Sequence, residues 1–312
     1  MSKVVNRSLF ALLALIASLS APAGAQMQIV DVMPDFWRYD EMAKGKTPEE
    51  RLKIFRHEVL VANTAIYAEL GGGGMPVNND AFLRDYYLPQ LDGIVPQMKA
   101  YTEEIRKGVG AGMVSFRKQF PDFVWKSKIY LLPSLGQFDG RVQEIDKQKS
   151  LLFGIDVITR RKSKAIPLMH HELFHLYHRQ FYETSTPAKV FEGVWGEGLA
   201  VYVAEKLNPG LPTSDYLIDP DLIKAVDSRR AAVLDKLAAT MNQSGGDLLL
   251  PWLRGDSNDV LIPARAGYYI GLQIAREVAK DHTLDQMVRL KGDALEVAFK
   301  NALRKLQDGA QK

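Results

Sequence analysis

Apolar side chains recur at three- and four-residue intervals along the first third of the chain. Between residues 48 and 70 they follow one helical face: Leu52, Phe55, Val59, Ala62, Ile66 and Leu70. This spacing predicts a helix over residues 48–70 that ends at the glycine run 71–74. A second helical pattern covers residues 80–118, with interruptions near Gly93 and Pro96.

Two short apolar segments then depart from the helical period. Lys128–Leu132 (KIYLL) and Leu151–Ile158 (LLFGIDVI) are rich in β-branched and aromatic residues, and turn-forming or charged residues bound them. Segments of this length and composition are typical of strands. The sequence therefore predicts a small sheet in the middle of the chain.

From Pro167 onward the pattern is helical again. The predicted helices cover residues 167–181, 196–207, 220–241, 266–281 and 293–307. Together the elements predict a helix-rich α+β protein in which a small sheet precedes the helix 167–181. We divide the chain into an N-terminal helical region, residues 26–125, and a second domain, residues 126–312.

The start of the chain has the order of features found in a secretory signal peptide. Lys3 and Arg7 precede an apolar run over residues 9–19, and the small residues 23–25 (AGA) precede Gln26. We expect removal of residues 1–25 and export, either to a bacterial periplasm or to the exterior. No later stretch approaches the ~20 apolar residues of a membrane span, so we expect no membrane span after signal removal.

Charge and cysteine content narrow the possible functions. Removal of Lys3 and Arg7 with the signal peptide lowers the formal net charge from +3 to +1. No basic stripe remains that would favour binding to nucleic acid. The chain has no cysteine, which excludes disulfides and thiolate metal ligands. A metal site in this protein must therefore use histidine and carboxylate groups.

The predicted helix 167–181 carries the segment His171-Glu172-Leu173-Phe174-His175. At ~100° per residue, His171 and His175 lie ~40° apart around the helix, so both imidazoles can reach one ion. Glu172 lies beside that pair, where its carboxylate can take a proton from water. This HExxH spacing is typical of zinc hydrolases, in which two neutral imidazoles bind Zn²⁺ and the glutamate is the general base. The alternative is an exposed helix face that happens to carry histidines.

A third ligand has two candidates. His178 lies on the face of His171 but about 10 Å along the axis, too far to share one ion. The other candidate lies in the segment 195–200 (WGEGLA), which opens the next predicted helix.

Here the chain resembles the gluzincins, the thermolysin and M1-aminopeptidase group of metallopeptidases, and it is similar to bacterial families known only as predicted zinc proteases. Their third zinc ligand lies in a segment similar to W-x-N-E-G-x-A. The resemblance implies that Glu197 completes a zinc site with His171 and His175, and that residues 126–312 form a zincin-like catalytic domain.

The resemblance has two further implications. The segment Gly267–Gly271 (GYYIG) is similar to the tyrosine-bearing segment of the M1 group, which implies that Tyr268 donates a hydrogen bond to the substrate oxyanion. The alternative is a core aromatic, on a helix that these two glycines allow to pack closely. The predicted strand 151–158 corresponds to the sheet edge along which gluzincins align an extended substrate.

The chain also departs from the family pattern. Thermolysin-like enzymes have an aspartate four residues after the ligand glutamate, where it orients a zinc histidine, whereas this chain has Val201. Glu205 is the remaining candidate for that role. The aminopeptidase segment G-x-M-E-N is missing, so aminopeptidase activity is not expected. His170 points away from the pair and is interpreted as a surface or packing residue.

The sequence thus predicts zinc-dependent hydrolysis of a peptide or protein substrate, with Glu172 as general base. Two alternatives stay open. One is a zincin scaffold that keeps its metal and serves as a non-catalytic binding or maturation factor, and the other is a zinc hydrolase of a non-peptide amide or ester. The intact Glu172 favours catalysis, because a binding site alone needs no base beside its metal.

Overall fold

The computed structural model describes residues 28–72, 74–124, 127–217, 219–254 and 259–310. The predicted signal peptide, residues 1–25, lies outside the described residues. None of the helices in the described ranges has both the length and the apolar character that crossing a membrane requires.

Four strands form one mixed sheet in the described part of the chain. They are β1 Gln28–Asp31, β2 Lys128–Leu132, β3 Gly140–Ile145 and β4 Gln148–Gly154. Their spatial order is β1-β2-β4-β3, with β2 parallel to both β1 and β4, and β3 antiparallel to β4. β3 is therefore an edge of the sheet, whereas β4 is paired on both sides.

The predicted α+β class and the predicted strand 128–132 are confirmed. β1 and β3 were not predicted, and β1 brings the start of the N-terminal region into the central sheet. β1 has only four residues, and β3 (GRVQEI) is mostly polar because it lies at the sheet edge. Neither strand has the apolar run by which strands were identified.

The predicted strand 151–158 is wrong in its second half. β4 ends at Gly154, and a helix begins at Ile155. The side chains of residues 155–159 are all buried, so an apolar run that resembles a strand is here a helix covered on every side. The buried carboxylate of Asp156 accepts hydrogen bonds from the backbone N–H groups of Ser134 and Gly136, which holds this helix against the loop after β2.

The chain before β2 is helical apart from β1. The predicted helix 48–70 consists of two α-helices separated by a wider turn, residues 56–61, and it continues to Gly72. The predicted helix 80–118 is interrupted, and its long second part runs to Gln119. The α-helices of this part are α1 Met33–Met42, α2 Pro48–Phe55, α3 Thr64–Gly72, α4 Asp80–Phe82 and α5 Val95–Gln119.

After β4 the described chain is helical. Its helices are α6 Ile155–Arg161, α7 Ala165–His178, α8 Val190–Leu207, α9 Thr213–Leu217, α10 Leu222–Asp227, α11 Arg230–Thr240, α12 Gly246–Leu253, α13 Ala266–Val278, α14 Leu284–Arg289 and α15 Gly292–Ala310. The predicted helix 220–241 is divided at residues 228–229 into α10 and α11.

Three of these helices place the candidate site. α7 packs against the sheet through β3 and β4, α8 packs against α7, and α13 packs against α8. The core that joins them includes the fully buried Phe174, Trp195 and Leu272.

Candidate metal centre

The histidine pair lies on α7, which has its buried apolar residues on several sides. Pro167 lies in the first turn, as predicted, where its missing N–H costs least. Leu173 and Phe174 are fully buried and fix the rotation of the helix. His171 and His175 consequently face α8, one turn apart.

The segment that carries Glu197 does not open a helix, contrary to the prediction. α8 begins at Val190, because the Glu192 carboxylate accepts a hydrogen bond from the backbone N–H of Lys189 at 2.8 Å and so caps the first turn. Glu197 therefore lies in the middle of α8, where a full turn of helix on each side holds its backbone.

A glycine contact sets the distance between α8 and α13. A Cβ at Gly198 would lie 2.1 Å from the carbonyl carbon of Gly271, and a Cβ at Gly271 would lie 2.3 Å from the backbone oxygen of Val194. The two backbones can approach this closely only because both residues are glycine. The predicted close packing of the helix that carries Gly271 is confirmed. The close contact of α13 with α8 also brings Tyr268 to the side of Glu197.

The structure brings the three predicted metal ligands together. The Nε2 atoms of His171 and His175 are 3.0 Å apart, and Glu197 Oε2 lies 3.2 Å from the first and 3.3 Å from the second. Among the described residues, this is the group of histidine and acidic side chains whose donor atoms converge closely enough to hold one metal ion.

These distances fit a tetrahedral zinc site. Zinc–nitrogen and zinc–oxygen bonds of ~2.0–2.1 Å place neighbouring ligands of a tetrahedron about 3.3 Å apart. The three observed separations form one face of such a tetrahedron to within a few tenths of an ångström. Two imidazoles and one carboxylate are the donor set of several catalytic zinc sites, so the residues present fit the ion.

The electrostatics of the triad suit a cation. Burial would raise the pKa of the Glu197 carboxyl, but the two histidines outweigh it and hold that pKa well below its ordinary value. Burial would lower the pKa of His175, but the carboxylates of Glu197 and Glu172 outweigh it and raise that pKa. Glu197 is therefore an anion, and the histidines lie in a field that attracts positive charge.

Glu172 lies beside the triad without joining it. Its side chain is buried between α7 and the first residue of β3, where a Cβ on Gly140 would lie 2.9 Å from Glu172 Cγ. Burial raises the pKa of the Glu172 carboxyl, and the nearby histidines partly oppose that shift. A carboxyl with a raised pKa next to a metal site is suited to accept and return a proton.

Tyr268 lies beside the ring of His171. Its ring is nearly parallel to the His171 ring, with the two centroids 6.1 Å apart. Burial, reinforced by the negative charge of Glu197, raises the pKa of the Tyr268 hydroxyl well above its ordinary value. The hydroxyl therefore keeps its proton at neutral pH. The hydroxyl of Tyr269, by contrast, reaches Asp227 at 3.2 Å and points away from the site.

Two cavities adjoin the metal centre. A groove of about 550 Å³ lies on the side of His175 and Glu197, with Lys149, Tyr182, Gly196 and Leu253 among its lining residues. A small cavity of about 60 Å³ lies on the side of His171, lined by Glu172, Asp139, Gly140, Arg265 and Tyr268 among others. A Cβ at Gly196 would meet nothing within 4 Å, so this glycine leaves the groove open next to Glu197.

The other two histidines of α7 have structural positions. His178 is buried and stacks between Phe174 and Tyr182, with each ring centroid at 5.1 Å, so it is not a ligand, as predicted. His170 is also a packing residue. Its ring lies within hydrogen-bonding distance of the Gly112 carbonyl at 2.9 Å and the Asn208 amide at 2.8 Å.

The role suggested for Glu205 is wrong. Its carboxylate forms an ion pair with Arg276 of α13 and not with either zinc-site histidine. Sequence reasoning also missed Gly140, Asp139 and Arg265, which come to the site from the edge strand and from the start of α13. None of the three belongs to a motif, and only the folding of the chain brings them next to Glu172.

Comparison of this chain with protein-family models, with curated proteins and with solved structures gave no match. The residues of the site and their geometry are therefore the basis on which a function can be proposed.

Proposed function

We propose that this protein is an exported zinc-dependent peptidase with a zincin-like catalytic domain of the gluzincin type. The observation that carries the proposal is the convergence of His171, His175 and Glu197, whose donor atoms all lie within 4.8 Å of one another. Glu172 is buried beside them and coordinates nothing in this arrangement, which supports a catalytic site over a purely structural one.

Zinc held by the triad would supply Lewis acidity, lowering the pKa of a water molecule and polarising a substrate carbonyl. Glu172 accepts the proton of the attacking water and delivers it to the leaving amine. Its buried position against Gly140 keeps the carboxylate in one orientation. The Tyr268 hydroxyl, which stays protonated, donates a hydrogen bond to the oxygen on which negative charge develops.

A peptide substrate has a sheet edge available, although not the predicted one. Pairing along residues 151–158 is excluded because β4 has a strand on each side. The edge strand on the side of the site is β3, whose first residue lies against Glu172.

The register of β3 shows which of its backbone groups are free for pairing. The Gly154 N–H donates to the Asp139 carbonyl at 2.8 Å, so every second residue from Asp139 bonds to β4. The N–H and C=O groups of Val142 and Glu144 therefore point outward, away from β4, whereas the Gly140 N–H already donates to the Asp139 carboxylate at 2.9 Å. This favours an extended peptide over a compact non-peptide amide or ester.

Incubation of the purified protein with a mixed peptide library, with and without a chelator, tests the proposal. We expect cleavage that the chelator abolishes and that added zinc restores. The Glu172→Gln variant should retain zinc and lose nearly all cleavage, because the amide cannot accept the proton. Full activity of Glu172→Gln would exclude its role as general base.

Export is tested separately. Mass spectrometry of the protein recovered from its native host should show a mature chain that begins at Gln26. Retention of residues 1–25 would contradict the signal-peptide interpretation.

A further inference from the structure

The side chain of Arg265 is held beside the metal centre and has no acidic partner among the described residues. It lies at the N-terminus of α13 in a left-handed backbone conformation (φ +61°, ψ +16°), and its backbone N–H donates to the Arg254 carbonyl at 2.9 Å. Its guanidinium lies 4.3 Å from the centroid of the Tyr268 ring, and one terminal nitrogen donates weakly to the Leu217 carbonyl at 3.4 Å. The Tyr268 ring and the Leu217 carbonyl therefore hold the side chain, and the Arg254 carbonyl holds the backbone from which it extends.

The hydrogen-bonding capacity of this guanidinium is not used up. Its Nε is buried and has no hydrogen-bond partner, and no carboxylate of the described residues lies within 4.0 Å of the side chain. Most other arginines near the fold's interior have such a partner, as Arg276 has Glu205. Arg265 is partly buried, and an N–H shielded from water without an acceptor is unfavourable, so an anionic ligand beside it would relieve that cost.

Arg265 lines the small cavity that is also lined by His171, Glu172 and Tyr268. The cavity, with a volume of about 60 Å³, has room for a few water-sized groups, which is enough for a carboxylate. Of the two acidic residues that line it, Asp139 is already compensated by Arg161 at 3.1 Å and by the Gly140 N–H. Glu172 is the other, and the metal triad lies directly beside it.

We propose that Arg265 binds a carboxylate of the substrate, so that the preferred substrates are peptides with a carboxylate close to the scissile bond. The proposal rests on the peptidase function proposed above and defines its substrate class. A planar guanidinium carries paired N–H donors, and such a pair matches the two oxygens of a carboxylate. The carboxylate is either the C-terminus of the peptide or an acidic side chain next to the scissile bond.

Binding measurements in the Glu172→Gln background test this without hydrolysis. The probes are N-acetyl-trialanine as the free acid, the same peptide as its C-terminal amide, and N-acetyl-Ala-Ala-Asp as its C-terminal amide. Calorimetric Kd values are measured with zinc-loaded and with chelator-treated protein. We expect one carboxylate probe to bind about 10- to 100-fold more tightly than the neutral amide, as a hydrogen-bonded charge pair allows.

Arg265→Gln in the same background should remove that preference, and Arg265→Lys should restore only part of it, because lysine keeps the charge without the paired donors. Arg304→Gln, an exposed position on α15, is the matched control for the loss of one positive charge and should keep the preference. Circular dichroism and melting temperature report whether each variant folds. If Arg265→Gln does not fold, the proposal is tested by comparing the carboxylate preference of Arg265→Lys with that of the protein that keeps Arg265.

The outcomes separate this proposal from the proposed function. Preference for the free acid identifies a terminal carboxylate, and preference for the aspartate probe identifies a side chain. Equal binding of all three probes by a protein that binds zinc and cleaves peptides would overturn the role of Arg265 alone. A carboxylate preference that persists in Arg265→Gln would also overturn it. A carboxylate preference that depends on Arg265, in a protein that neither binds zinc nor cleaves peptides, would support the carboxylate site and reject the peptidase function.

Discussion

The contact between Gly198 and Gly271 makes a sharp test of how the site is positioned. We expect Gly198→Ala to destabilise the protein, because its new Cβ would lie 2.1 Å from the Gly271 carbonyl carbon and 2.3 Å from its Cα. Ordinary contact begins at 3.4 Å, so α8 and α13 must separate by about 1.3 Å. These neighbours are backbone atoms, so no side chain can move aside to relieve the overlap.

The change in stability caused by Gly198→Ala is the sum of two opposing effects. Alanine in a helix interior is favoured over glycine by about 1 kcal/mol, whereas inserting a group into a close-packed contact costs about 1–3 kcal/mol or more. We expect a net loss near the upper end of that range, which lowers the melting temperature by roughly 5–10 °C in a protein of this size. The displacement also moves Glu197 and Tyr268 apart, and a shift of about 1 Å can lower kcat about 100-fold.

Gly196→Ala is the matched control on the other side of Glu197. A Cβ there would meet nothing within 4 Å, so the helix should gain stability of about 1 kcal/mol while zinc affinity is unchanged. Differential scanning fluorimetry and competitive zinc titration measure both variants. Equal melting temperatures for Gly198→Ala and wild type would refute the claim that this crossing sets the geometry of the site.

Three further changes have defined outcomes. Tyr268→Phe should lower kcat by about 10²- to 10³-fold with zinc content and melting temperature intact, and an unchanged kcat would leave Tyr268 as a packing residue. Burial, reinforced by the nearby His175, lowers the pKa of His178 from 6.5 to about 4. The neutral His178 therefore stabilises the fold fully above pH 6.5, and this stabilisation, on the order of 3 kcal/mol, is lost as the pH falls toward 4. As the pH falls from 6.5 to 4, urea unfolding should show the His178→Phe variant gaining stability relative to wild type. Val142→Pro removes an outward N–H from the edge strand and should raise KM for peptides about tenfold with little change in melting temperature, whereas Arg141→Pro breaks the β3–β4 ladder and should destabilise the fold.

The sequence was most informative where the chemistry is local. The HExxH spacing lies within one helical turn and a single substitution would destroy it, so His171, Glu172 and His175 could be placed before the fold was known. Glu197 required a resemblance, because its approach to the histidines depends on how α8 packs on α7. The glycines around Glu197 marked the segment, although only the structure shows that Gly198 serves packing and Gly196 leaves the groove open.

Other features could not be predicted because tertiary contacts decide them. The run from Ile155 to Thr159 has the composition of a strand, but burial on all sides and the hydrogen bonds of Asp156 support a helix there. The polar strand β3 becomes the sheet edge only by pairing with β4. Arg265 has no motif around it, and its position beside Tyr268 is determined by the start of α13.

Zinc binding by the triad is the central claim, and a metal titration of the purified protein tests it most directly. Mass spectrometry of the metal content and competition with a chromogenic chelator should show about one tightly bound zinc ion per chain. Glu197→Ala should lose most of that affinity, as should His171→Ala and His175→Ala. Glu205→Ala, on the same helix but paired with Arg276, should retain it. A wild-type protein without zinc affinity, or a Glu197→Ala variant that binds zinc as tightly as wild type, would contradict the assignment.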